Sequence, residues 1–138
     1  MNKEKYILLG ILAVVLILAF YVVFNFFIKN EEINEDQKFK TLIDNQNNVE
    51  FQVTPSKPNE FQITMDTHSV ELSFDLMQIS TLYDDSENSY KPLAWEGSAP
   101  SGHHRSGILK FPEIDENAKS VKLIIIDSAE REFNWNLR

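Results

Sequence analysis

The sequence predicts an all-β chain headed by a single transmembrane helix, with the strands closing into a small antiparallel, immunoglobulin-like β-sandwich. Three observations lead there. Residues 6–28 carry no charge. Beyond residue 48, apolar side chains recur at every second position in several short runs, which is the period of a half-buried strand. Between those runs lie breaks rich in Pro, Asp, Asn and Ser, residues that favour turns. A length of 138 residues suits one such domain with a short appendage, not two ordinary domains.

The uncharged run starts at Tyr6 and ends at Ile28. As a helix, its 23 residues extend roughly 35 Å, enough for a hydrocarbon core of about 30 Å. Val14, Val15 and Ile17 are β-branched, yet a helix in lipid satisfies its own backbone and tolerates them. Tyr6, Tyr21, Phe26 and Phe27 suit the interfacial aromatic belts. The run exceeds the apolar core of about 7–15 residues found in a secretory signal. Its exit, from Asn25 through Phe26, Phe27 and Ile28 to Lys29, has no small-x-small cleavage pattern, so it reads as a retained signal-anchor. Lys3 and Lys5 precede it, whereas Glu31, Glu32, Glu35 and Asp36 follow Lys29. The basic-side rule then puts residues 1–5 in the cytoplasm and the acidic remainder outside the cell membrane. Residues 29–47 read as a polar tether and residues 48–138 as the extracytoplasmic sandwich.

The expected strands follow in order. Phe51 and Val53 alternate with polar neighbours up to Pro55, and Phe61, Ile63 and Met65 form the next run. Val70, Leu72, Phe74 and Leu76 alternate again, but on even numbers, so the inward parity flips across Asp66–Ser69 and requires a turn or a bulge. Leu82 and Tyr83 face Tyr90 across the acidic tip Asp84–Asn88, which reads as a solvated hairpin rather than a calcium loop. Leu109 and Phe111 follow a glycine. Val121–Ile126 is apolar except for Lys122 and fits a strand buried on both faces, while Phe133, Trp135 and Leu137 alternate with Asn134 and Asn136. Trp95 and Trp135 are expected core anchors.

Charge and cysteine content narrow the function. Beyond Ile28 there are 11 basic and 20 acidic side chains, a balance that excludes the basic footprint of a nucleic-acid binder. With 0 cysteines there is no disulfide, no thiolate zinc site and no thiol nucleophile. No phosphate-cradling glycine loop and no nucleophile-elbow pattern occurs, so the chain does not read as an enzyme.

All 3 histidines fall in two segments, one around His68 and one at His103–His104. The second lies in a stretch that also holds Gly97, Gly102 and Gly107, the only glycines after residue 10. Glycine there suggests a loop with left-handed or crowded backbone. Three readings are open. In the first, His68 with His103 or His104, joined by Asp66 or Glu96, ligates copper or zinc, since neutral imidazoles suit both ions. In the second, the imidazoles cap turns, and Arg105 pairs with Glu96 or another carboxylate. In the third, His103, His104, Arg105 and Tyr90 are contacts for a protein partner.

The segments Asp66–Leu76, Tyr90–Gly97 and Gly102–Phe111 give the chain a resemblance to small secreted or membrane-anchored prokaryotic β-sandwich domains of uncharacterised function. That resemblance spans about residues 48–138 and implies an extracytoplasmic location. The expected role is a membrane-anchored, non-enzymatic interaction or accessory module. The alternative is a domain that binds or delivers a transition metal through its histidines.

Overall fold

The computed structural model describes residue 3, residues 15–21 and residues 39–138. Most of the expected span 6–28, and the tether up to residue 38, lie outside the described residues. Residues 15–21 are helical and exposed, and no helix among the described residues is long and apolar enough to cross a membrane. The expected span therefore finds no support there. Phe39–Arg138 form one compact unit.

That unit is built of nine strands in two antiparallel sheets. In chain order they are β1 (Leu42–Gln46), β2 (Val49–Lys57), β3 (Glu60–Thr67), β4 (Ser80–Asp84), β5 (Ser89–Tyr90), β6 (Ala94–Gly97), β7 (His104–Lys110), β8 (Ser120–Ile126) and β9 (Glu130–Asn136). The larger sheet has the order β1-β2-β3-β7-β6, the smaller β5-β4-β8-β9. Between them lies one core, with Phe51, Ile63, Met65 and Leu109 from the first sheet and Leu82, Leu123, Phe133 and Trp135 from the second. Phe61 meets the Trp135 ring at 5.4 Å. The arrangement is a small β-sandwich.

Period-2 alternation places β2, β3 and β9 as expected. β2 buries Val49, Phe51 and Val53, and β9 buries Arg131, Phe133 and Trp135. Four expectations need correction. First, the sheet begins inside the segment read as tether. β1 is mostly polar because it is an edge strand whose outer residues face solvent. Asn47 and Asn48, with φ of 52° and 63°, make the two-residue turn into β2 that needs positive φ at both positions. Second, residues 70–75 are not a strand. Thr67 Oγ1 accepts from the Ser69 and Val70 amides and ends β3. The Leu72 and Phe74 carbonyls accept from the Arg105 guanidinium, and Asp75 caps the helical turn Leu76–Ile79. Side chains and loops satisfy this backbone in place of a neighbouring strand. Leu72 and Leu76 stay buried because the segment carries the chain from one sheet to the other. The parity flip is this crossover, whereas the irregular register of the sheet lies at Pro55/Lys57.

Third, β8 is buried on one face only. Val121, Leu123 and Ile125 face the core, Ile124 is half-buried, and Ile126 is exposed. Lys122 lies outward over the Tyr83 ring. Fourth, Trp95 is half-buried at the sheet edge instead of central. It explains two of the glycines. A Cβ on Gly107 would lie 2.6 Å from the Glu96 carbonyl and 2.8 Å from the Trp95 ring, and one on Gly97 would lie 2.7 Å from that ring. The indole thus covers a glycine pair that registers across β6 and β7. Among the glycines of the described residues, only Gly102 has a left-handed φ, at 75°.

Candidate functional site

Of the polar side chains that the sequence pointed to, one end of the larger sheet brings together Asp66, His68 and His104. On its outer face the registers β1–β2, β2–β3 and β3–β7 align Asn45, Glu50, Asp66 and His104 in one row. Their parity is opposite to that of buried Phe51, Met65 and Arg105, which is why they face solvent. Beside the row opens a cleft of 320 Å³, lined by Asn45, Glu50 and Asp66 together with Asn48 from the β1–β2 turn and Thr67, His68 and Ser69 from the end of β3. The chain enters the unit at Phe39, ahead of β1, so the cleft lies at the far end of that strand.

The lining is held in place. His104 Nδ1 meets Asp66 Oδ1 at 2.5 Å. Gln52 Nε2 donates to Glu50 Oε1 at 2.8 Å, while Asn45 Nδ2 reaches Glu50 Oε2 only at 3.5 Å. The Thr67 amide donates to the His103 carbonyl and the Leu72 amide to the Gly102 carbonyl, which fixes both histidine segments against β3.

The expected metal set does not converge. His104 is engaged with Asp66, His68 lines the cleft, and Glu96 lies four register positions along β7 from His104, paired with Lys110 at 2.8 Å. The Glu96 hydrogen bond also holds the Lys110 ammonium above its ordinary pKa. Among the described residues no group of three or more His, Asp or Glu side chains is placed to hold a metal ion.

Arg105 is committed inward. It is only 2% exposed, and it reaches no carboxylate. Its guanidinium donates to the main-chain carbonyls of Leu72 (3.0 Å) and Phe74 (2.8 Å) and lies 5.6 Å from the Phe74 ring centre. Burial holds its pKa below the ordinary value, opposed by the charge of Asp75. Tyr90 is likewise committed inward, since its hydroxyl donates to Asp84 Oδ2 at 2.9 Å. The acidic tip is accordingly not a set of free carboxylates. Asp84 also accepts from the Ser86 and Asn88 amides and from Asn88 Nδ2. Burial alone would raise its pKa, but the hydrogen bonds from Asn88, Tyr90 and Ser86 outweigh burial and hold the carboxyl below its ordinary value. Burial and that same bond push the Tyr90 phenol up.

Sequence reasoning missed Asn45, Asn48 and Glu50. Alternation with Phe51 already puts Glu50 outward, but which residue stands beside it depends on register, and a single sequence does not state that. No protein-family model matches the chain, and neither a curated protein nor a solved structure matches it.

Proposed function

We propose that this chain is a membrane-anchored, extracytoplasmic, non-enzymatic interaction module, with an immunoglobulin-like sandwich as scaffold and the cleft beside Asp66 and His104 as its contact surface. The uncharged run 6–28 is the anchor in this reading, with Lys3 and Lys5 on the cytoplasmic side. The observation that carries it is the contrast between the cleft and the other candidate residues. Arg105, Tyr90 and Glu96 all serve the fold, whereas His68, Asn48 and Ser69 line a concave surface and bring it side chains not engaged in the hydrogen bonds of the sandwich. Concave surfaces with converging polar groups are the usual place for recognition.

Site-directed photo-crosslinking in the membrane of the producing cell tests this. A photoreactive residue at Ser69 is expected to give a discrete adduct, and one at exposed Glu113 none. Absence of an adduct from Ser69, or equal adducts from both sites, would refute it.

A further inference from the structure

We infer that the cleft recognises a cationic side chain, a lysine ammonium or an arginine guanidinium, presented by a basic segment of a partner protein. The inference rests on the reading of the cleft as the contact surface. It begins with an arrangement that a sheet ordinarily avoids. Glu50 and Asp66 are direct cross-strand partners on one face, and like charges set opposite each other destabilise a sheet. Local rules broken in this way concentrate at functional positions.

The one ion-pair contact of these two carboxylates is with the His104 imidazole, which meets Asp66 and carries a charge only when protonated. None of the residues lining the cleft is a lysine or an arginine. Glu50 is met by the neutral amides of Gln52 and Asn45. The His104 imidazole meets one oxygen of Asp66, and His68 is the other imidazole at the cleft. Each carboxylate is therefore oriented through one oxygen, while Asp66 Oδ2 accepts no hydrogen bond and Glu50 Oε2 accepts only the long contact from Asn45. Oriented carboxylates with free oxygens match a donor-only cation such as lysine or arginine, and the amides and hydroxyls of Asn48 and Ser69 add neutral partners. The whole unit has the complementary charge. Residues 39–138 hold 16 acidic and 9 basic side chains, and Arg105 and Arg131 among the basic ones are buried. A negative surface of this kind steers a basic partner towards the site.

The test titrates the purified full chain with a hexalysine peptide, and with hexaglutamate as control, following backbone amide NMR shifts. Hexalysine is expected to move the amides around Glu50, Asp66 and Ser69, and hexaglutamate to move none. The E50Q/D66N double variant, isosteric with the wild type, should bind hexalysine at least about tenfold more weakly. E50Q alone should raise the melting temperature by about 1–5 °C, because it removes the like-charge pair. E113Q/E132Q deletes the same charge at exposed positions outside the cleft and should change binding less than about twofold. No hexalysine binding, shifts spread over the whole acidic surface, or equal weakening by both double variants would overturn the inference. The Ser69 crosslink separates this failure from the failure of the module reading. An adduct that persists in E50Q/D66N removes the cation and keeps the module, whereas no adduct in the wild type removes the module itself.

Discussion

Arg131 offers the sharpest test of how the two sheets are joined. Its side chain is fully buried on β9, and it crosses to the other sheet. Nη1 meets Asp44 Oδ1 at 2.5 Å, and Nε meets Asp127 Oδ1 at 3.0 Å. Nη1 and Nη2 also donate to the carbonyls of Val49 and Gln46. Arg131→Met keeps an unbranched apolar stem and removes the cation. The Asp127 side chain, only 3% exposed, is then a buried carboxylate without a counter-charge. Breaking a buried pair in this way costs about 3–5 kcal/mol, a large part of the roughly 5–15 kcal/mol that holds a domain together. Asp127→Asn leaves Arg131 paired with Asp44 and should cost less, about 1–3 kcal/mol. The double variant should be more stable than the sum of the two losses implies, since it leaves no unpaired carboxylate at position 127. The measurement is urea unfolding of residues 39–138 followed by tryptophan fluorescence. Because the pair is buried, the loss in Arg131→Met should persist in about 1 M salt, where the screening length is about 3 Å. A loss under about 1 kcal/mol, or one that vanishes in salt, would show that Arg131 acts as an exposed ion pair and that the account of the seam is wrong.

Two further predictions concern the loops and the edge. Asp84 has a folded pKa below its unfolded value of about 3.9, so its stabilisation is complete above that value and is lost as pH falls through the folded pKa. Urea midpoints measured from neutral pH down to about pH 2 should therefore fall more steeply below about pH 4 in the wild type than in Asp84→Asn; parallel curves would contradict the hydrogen-bonded tip. Gly107→Ala should destabilise by about 1–3 kcal/mol, because its Cβ would meet backbone of β6 that cannot swing aside. A melting temperature equal to that of the wild type would mean that the Trp95 cover over the glycine pair is looser than described.

The alternating strands were legible because burial on one face leaves a period of two in the chain, and β2, β3 and β9 display it plainly. β1 was not, because only Leu42 and Asp44 of its five residues are even partly buried. A charged inward residue carries no hydrophobic signal, and the donor to Asp44, Arg131, is 87 positions away. Arg131 did have a signal, since it shares the parity of Phe133 and Trp135, and so did Arg105, which shares that of Leu109. An arginine read by composition alone is assigned to the surface, yet position in the alternation outweighs residue type when carbonyls and carboxylates wait inside. The segment 70–75 misled for the opposite reason. Leu72 and Leu76 are truly inward, but periodicity reports which side chains are buried and not whether the backbone has a strand beside it.

The two buried arginines also bear on the cleft. Arg131 lies 4.5 Å from the Phe51 ring centre, Phe51 stacks on Phe74 at 6.0 Å, and Arg105 lies over Phe74. Two stacked rings thus lie between two cations in a chain that has 0 cysteines to cross-link it. Each guanidinium collects main-chain carbonyls: Arg131 those of Gln46 and Val49, on either side of the β1–β2 turn, and Arg105 those of Leu72 and Phe74, in the strandless crossover. The first of these brings Asn48 to the cleft, and the second follows in the chain directly after the lining residues Thr67, His68 and Ser69. A guanidinium donates in several directions at once, so one side chain orders several main-chain groups. The loops around the cleft are therefore fixed before any partner arrives, which reduces the ordering entropy that binding would otherwise have to overcome. Arg105→Met should in consequence weaken the hexalysine binding proposed for the cleft, read in the same amide NMR titration, without touching any residue that lines it.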